Sequence, residues 1–198
     1  MPDTHIDQQG SEVSGHQAGR DVVDRRIDNS DHSVHIHYCN AATPLGRRIE
    51  RYKIEVTNGY QIGTILESLQ HYHDNVDGPA VIGLDEKLRR ANREDEIEIA
   101  NKLKELFCKK LVANQLFKSA QEIFVVLLGI MYEQFQCHVR PLINGGATTD
   151  EINAAVLRHV IQPLFDKIEA EDNALTLLMP DLRGMFYFLT GNCHIKWN

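Results

Sequence analysis

At Thr43–Pro44 this 198-residue chain changes rule: apolar residues take up helical spacing there and keep it nearly to the end, whereas the stretch before follows another pattern. Residues 1–43 hold five of the ten histidines, no lysine, and Tyr38 as their one aromatic side chain. Their valines and isoleucines are scattered among glycine, asparagine, aspartate and serine. Such a segment cannot build a core, because ordering each residue costs roughly 1–2 kcal/mol of chain entropy. The fold must therefore be carried by residues 44–198.

The helical pattern begins with Leu45, Ile49, Tyr52 and Val56 on one stripe, ended by Asn58-Gly59. A second amphipathic stretch runs from Ile62 to about Val76, before Asp77-Gly-Pro79, and Leu84–Ala91 reads as a short helix. From Glu94 to Ala113, Ile97, Ala100, Leu103, Phe107 and Leu111 form an apolar face, with acids crowding the start and Lys109-Lys110 near the end, as the helix dipole favours. Ser119 to Ile143 is apolar all round in its middle and is the expected central helix. Thr148-Thr-Asp-Glu151 is a capping box opening a helix to about Lys167, in which Pro163 predicts a kink or break near His159. Asp181–Leu189 is a further short helix, followed by an extended tail from Cys193 to Trp197. The fold class is mainly α: a multi-helix bundle over 44–198, preceded by a short β-rich, glycine-punctuated arm over 1–43.

In the arm, Gly10, Gly15 and Gly19 favour turns. Val34-His-Ile-His-Tyr38 alternates with period two, and the Asp28–His32 turn cluster separates it from a strand within Asp21–Ile27. Strand edges are templates for pairing, so two outcomes follow: the arm joins copies of the chain through Val13, Val22, Val34, Ile36 and Tyr38, or it stays partly disordered until a partner orders it.

Composition narrows the function. The apolar run Ile123–Met131 falls well short of the roughly 20 residues that span a bilayer, and no secretory leader opens the sequence, so a soluble cytoplasmic protein is expected. Four cysteines without a Cys-x-x-Cys pair fit reduced thiols. A net charge of −7 disfavours coating nucleic acid.

No phosphate loop, zinc-protease motif or nucleophile elbow is present, so no catalytic residue and no cofactor is assigned. His32, His35 and His37 share a strand-like segment but lack further ligands at a metal-binding spacing, and a solvent-facing polar row is the better reading. Cys193-His194 suggests a nucleophile and base, yet neighbours in extended chain face opposite ways. A tail buried through Cys193, Ile195 and Trp197, with His194 and Lys196 toward water, accounts better for them. Lys102, Lys104, Lys109, Lys110 and Lys118, with Arg89, Arg90 and Arg93 upstream, form the most basic region, but interleaved acids cancel their field.

Three segments carry a family resemblance: Gln17-Ala-Gly-Arg-Asp-Val22, Tyr52-Lys-Ile-Glu-Val-Thr-Asn-Gly-Tyr-Gln61 and Phe188-Leu-Thr-Gly-Asn-Cys-His-Ile-Lys-Trp197. With these the chain resembles the carboxy-terminal domains of bacterial ABC-three-component conflict systems over about residues 44–198. The resemblance implies partners: an ATPase related to chromosome-maintenance proteins, a middle component and an effector. It implies a non-catalytic adaptor or assembly module of an antiphage defence complex. Tyr187, Ile195 and Trp197 are the expected partner-binding residues, since large aromatic and apolar groups dominate interface energetics, and the arm would make the protein a homo-oligomer. The competing expectations are a nucleic-acid sensor using Lys102–Lys118 and a cysteine enzyme using Cys193 and His194.

Overall fold

The computed structural model describes residues 43–74 and 82–197, together with the backbone of 25–27 and 34–36. The chain divides into two units, the first ending at Ala41 and the second starting at Ala42. In the first, strands β1 (Arg25–Ile27) and β2 (Val34–Ile36) pair antiparallel, with Arg25 opposite Ile36 and Ile27 opposite Val34. Val13, Val22, Tyr38, His32 and His37 lie outside the described residues.

The second unit is helical. Helix α1 (Pro44–Asn58) starts where the sequence changes character: Thr43 is its N-cap, accepting from the Gly46 N–H at 3.0 Å, and Pro44 occupies the first turn. Gly59 closes it in the left-handed region at φ 64°. Helix α2 is shorter than its periodicity predicts, covering only Glu67–His73. The preceding residues find their hydrogen bonds elsewhere. Ile62 N–H donates to the Leu116 carbonyl at 2.7 Å, and the fully buried Gln121 amide accepts from Leu66 N–H at 2.6 Å and donates to the Thr64 carbonyl at 3.0 Å. With these groups already satisfied, 60–66 has no need of a helix.

Helix α3 (Leu84–Arg90) leads through a 3₁₀ turn at Glu94–Glu96 into α4 (Ile97–Asn114), so the acid cluster forms a tighter turn rather than the first α-helical turn. Helix α5 (Lys118–Gln134) is the central element expected, burying Ile123, Phe124, Leu127, Leu128 and Met131. Its N-terminus is capped from another helix, because the Glu55 carboxylate on α1 accepts from both the N–H and the hydroxyl of Ser119, at 3.0 and 2.9 Å.

Two prolines set the geometry that follows. Helix α5 passes through a π turn (Phe135–Val139) into α6 (Arg140–Asn144), which contains Pro141. Helix α7 (Thr149–Ala155), opened by the expected Thr148–Glu151 capping box, passes through a second π turn (Val156–Ile161) into α8 (Gln162–Glu169), which contains Pro163. Proline removes the donor that an α-helix needs four residues on, and the backbone widens to bonds five residues apart: Arg140 N–H to the Phe135 carbonyl and Gln162 N–H to the Leu157 carbonyl. The break expected at His159 is thus a π turn. The two π turns pack together and stack His138 on His159, ring centroids 5.0 Å apart.

Helix α9 (Met179–Gly191) is buried along nearly its whole length and packs most extensively against α4. Gly184 permits this, since a Cβ there would collide with the Leu103 carbonyl and the Phe107 side chain. One core joins α1, α2, α4, α5, both π turns, α8, α9 and the tail, and a smaller cluster of Leu84, Leu88, Ala100, Leu103 and Tyr187 lies beside it. Among the described residues no helix is long and apolar enough to cross a membrane.

Candidate functional site

The C-terminal tail is built by alternation. Cys193 (1% exposed), Ile195 (0%) and Trp197 (8%) are buried, His194 is half-buried and Lys196 is exposed, the in-and-out order that the sequence predicts. The segment is not an extended strand. It is a run of turns and bends, turned back by Cys193 in the left-handed region at φ 68°, with His194 N–H and Ile195 N–H both donating to the Leu189 carbonyl. Ile195 sits wholly within the main core, where burial is worth roughly 1.5–3 kcal/mol. Trp197 packs edge-on against Phe135 and Phe186, at centroid separations of 6.0 and 5.5 Å.

The remaining face of Trp197 meets an arginine that periodicity gave no reason to single out. Asn92 takes a left-handed conformation (φ 55°) at the end of α3, which asparagine tolerates, and turns Arg93 inward. Arg93 is 2% exposed and its guanidinium lies 4.1 Å from the centroid of the Trp197 ring, a cation–π contact out of water. Its Nη1 donates to Glu96 Oε1 and to Asn153 Oδ1, each at 2.6 Å. The other Glu96 oxygen accepts from the Tyr187 hydroxyl at 3.2 Å. Burial, with the Glu96 carboxylate adding to it, pushes the Tyr187 hydroxyl above its ordinary pKa, so the phenol stays a donor.

These residues line a cavity of about 500 Å³ between the Glu94–Glu96 turn, the second π turn, α9 and the tail. Val156, Ile161 and Phe186 supply apolar wall, and Leu157, which is 50% exposed, stands at its edge. Tyr187 and Trp197 are thus brought to one cavity, while Ile195 lies in the core. Sequence reading named Arg93 only within the basic region and Glu96 only among the acids beside it, and missed Asn153 and Arg183, because only the third dimension brings three separate segments together.

Cys193 and His194 diverge. The Cys193 thiol accepts from Lys87 Nζ at 2.9 Å, and the same ammonium caps the end of α9 through the Thr190 carbonyl at 2.6 Å. The His194 ring turns instead to His71 and Tyr72, each 5.3 Å away, and burial followed by the neighbouring His71 lowers its pKa. The lysines of α4 are dispersed in role. Lys110 holds the buried Asp181 carboxylate at 2.8 Å, and Lys109 pairs with Glu105 at 2.6 Å. Among the described residues, no group of three or more His, Cys, Asp or Glu is placed to hold a metal ion.

No curated protein and no solved structure gives a significant match to the chain. A protein-family model does: C-terminal domain 9 of the ABC-three component (ABC-3C) systems, matched over residues 83–197. That span starts at α3 and closes at Trp197, so it takes in every element around the cavity and leaves α1 and α2 outside, a narrower reach than the expected 44–198. With more than half of its length matched, the chain belongs to the C-terminal domain 9 family of ABC-three component systems.

Proposed function

We propose that the helical unit is a non-catalytic docking module that receives another protein component of its ABC-3C assembly at the cavity beside Trp197. A domain of a multi-component system works beside other protein components. The observation that carries the choice of surface is the cavity itself: apolar walls, a tryptophan and a tyrosine, two arginines in its lining, and the half-exposed Leu157 at its edge. Tryptophan, tyrosine and arginine are the side chains on which interface energy concentrates when water is excluded. The assembly serves antiphage defence in the bacterial cytoplasm, and the N-terminal arm joins copies of the chain.

The docking test uses Leu157→Arg, a substitution at a position open enough to leave the fold unchanged. Titrated calorimetrically against the ATPase, middle and effector components of its own system, the wild-type chain should bind one of them. The variant should bind it about tenfold or more weakly, with an unaltered melting temperature. Equal affinity rejects the cavity as the docking surface. For the arm, removing residues 1–43 should lower the mass measured by light scattering, and an unchanged mass rejects its role.

A further inference from the structure

We propose that Lys87 and Cys193 form a modification site, which hydrogen peroxide joins into a thiol-reversible N–O–S crosslink tying the C-terminal tail to α3. Lys87 Nζ lies 2.9 Å from Cys193 Sγ and is held there by the Thr190 and Gly191 carbonyls, which accept from it at 2.6 and 3.3 Å. The sulfur is fixed as well: Cys193 is 1% exposed, and its N–H donates to the Thr190 carbonyl at 3.2 Å. Two reactive atoms held in contact need no search to meet, and positioning of that kind accelerates bond formation greatly. Among the described residues, Cys193 is the one free thiol hydrogen-bonded to a lysine, whereas Cys137 is exposed and Cys108 half-buried without such a bond. Cys193 also lines an open cavity of about 710 Å³ with His71, Tyr72 and His194, wide enough for a peroxide, and Lys87 is itself partly exposed on α3.

The contact selects the kind of bond. A single oxygen atom fits between a nitrogen and a sulfur that already touch, while a direct S–N bond would have to pull both atoms out of the hydrogen bonds that hold them. Hydrogen peroxide supplies the oxygen and takes the electrons. Cys193 Sγ attacks one peroxide, an S–O bond forms as the O–O bond breaks, sulfur gives up two electrons, and a sulfenic acid and water result. Lys87 yields its extra proton to water, and its amine attacks a second peroxide, leaving a hydroxylamine and another water. The hydroxylamine oxygen then bonds to the sulfenic sulfur, whose hydroxyl leaves with the hydroxylamine proton as a third water. Two equivalents of a dithiol reverse the sequence to cysteine, lysine and water. The remaining N–H of the bridge can still donate to the Thr190 carbonyl, so the end of α9 keeps a cap. The bridge closes a loop between residues 106 apart, and a covalent tie across so long a loop restrains the unfolded chain.

The test treats the full-length wild-type protein with hydrogen peroxide, cuts it with chymotrypsin without reductant, and weighs the peptides. The Lys87 and Cys193 peptides should appear joined, heavier than their sum by one oxygen and lighter by two hydrogens, and dithiothreitol should separate them into unmodified peptides. The oxidised protein should melt a few degrees above the reduced one. Lys87→Arg keeps a cation beside the thiol but lacks the amine, so it should give no joined pair and no rise in melting temperature. Recovery of Cys193 as unjoined sulfinic or sulfonic acid overturns the proposal, as does an unmodified Cys193 at a peroxide dose that oxidises Cys137. A joined pair lacking the oxygen, one that persists in Lys87→Arg, or a melting temperature that oxidation leaves unchanged also overturns it.

Discussion

His194 and His73 show how burial turns a residue's solution chemistry into stability. His194 packs against His71 and Tyr72, and His73 packs edge-on to Phe188 at 5.3 Å. Burial lowers the pKa of both, aided at His194 by His71 and opposed at His73 by Asp74. The unfolded chain takes up these protons near pH 6.5 while the folded chain resists them, so stability falls as pH drops below about 6.5 and goes on falling to the depressed folded values. The melting temperature should therefore be lower at about pH 5.5 than at about pH 7.5, and the double variant His73→Gln/His194→Gln should show a shallower dependence. An identical pH slope in that variant would remove the two imidazoles from the account. Glu105 and Glu151, held below their usual range by Lys109 and by Thr148, titrate at lower pH and do not disturb this window.

Among the elements, the pairing of α4 with α9 decides the packing at the centre, and Gly184 is its narrowest point. Gly184→Ala would press a methyl group onto the Leu103 carbonyl and the Phe107 side chain, and backbone cannot yield as a flexible side chain can. The substitution should cost about 1–3 kcal/mol, seen as a lower urea midpoint at unchanged slope, and a midpoint equal to wild type would show that the helices separate without strain. Helix ends were largely legible because their signals are local. Thr43-Pro44, Asn58-Gly59 and the Thr148–Glu151 box each act through bonds within a few residues. The shortening of α2 was not legible, because Gln121, 55 residues along the chain from Leu66, satisfies the backbone that a longer helix would have served. Pro163 announced a disturbance at His159 correctly, and the backbone meets the missing donor with a π turn that packs on the neighbouring one.

For the molecule as a whole, the family match and the core do not share a boundary. The match opens at residue 83, but Leu45 and Ile49 of α1 and Leu69 of α2 are buried in the same core as α5. Glu55 caps the N-terminus of α5 from α1. A fragment of 83–198 should accordingly melt well below a fragment of 44–198 and bind an apolar dye, as exposing the α5 surface requires. Equal melting temperatures would make α1 and α2 an accessory. What the sequence by itself determined is what short-range chemistry controls: a helical bundle from Pro44, its caps and stops, and the alternation that buries Cys193, Ile195 and Trp197. What only the tertiary structure decided is which distant groups meet. Arg93, Glu96, Asn153, Tyr187 and Trp197 come from α7, α9, the tail and the turn before α4, and no periodicity encodes their convergence. Their charge and hydrogen-bond balance exists only once folding has excluded water from between them.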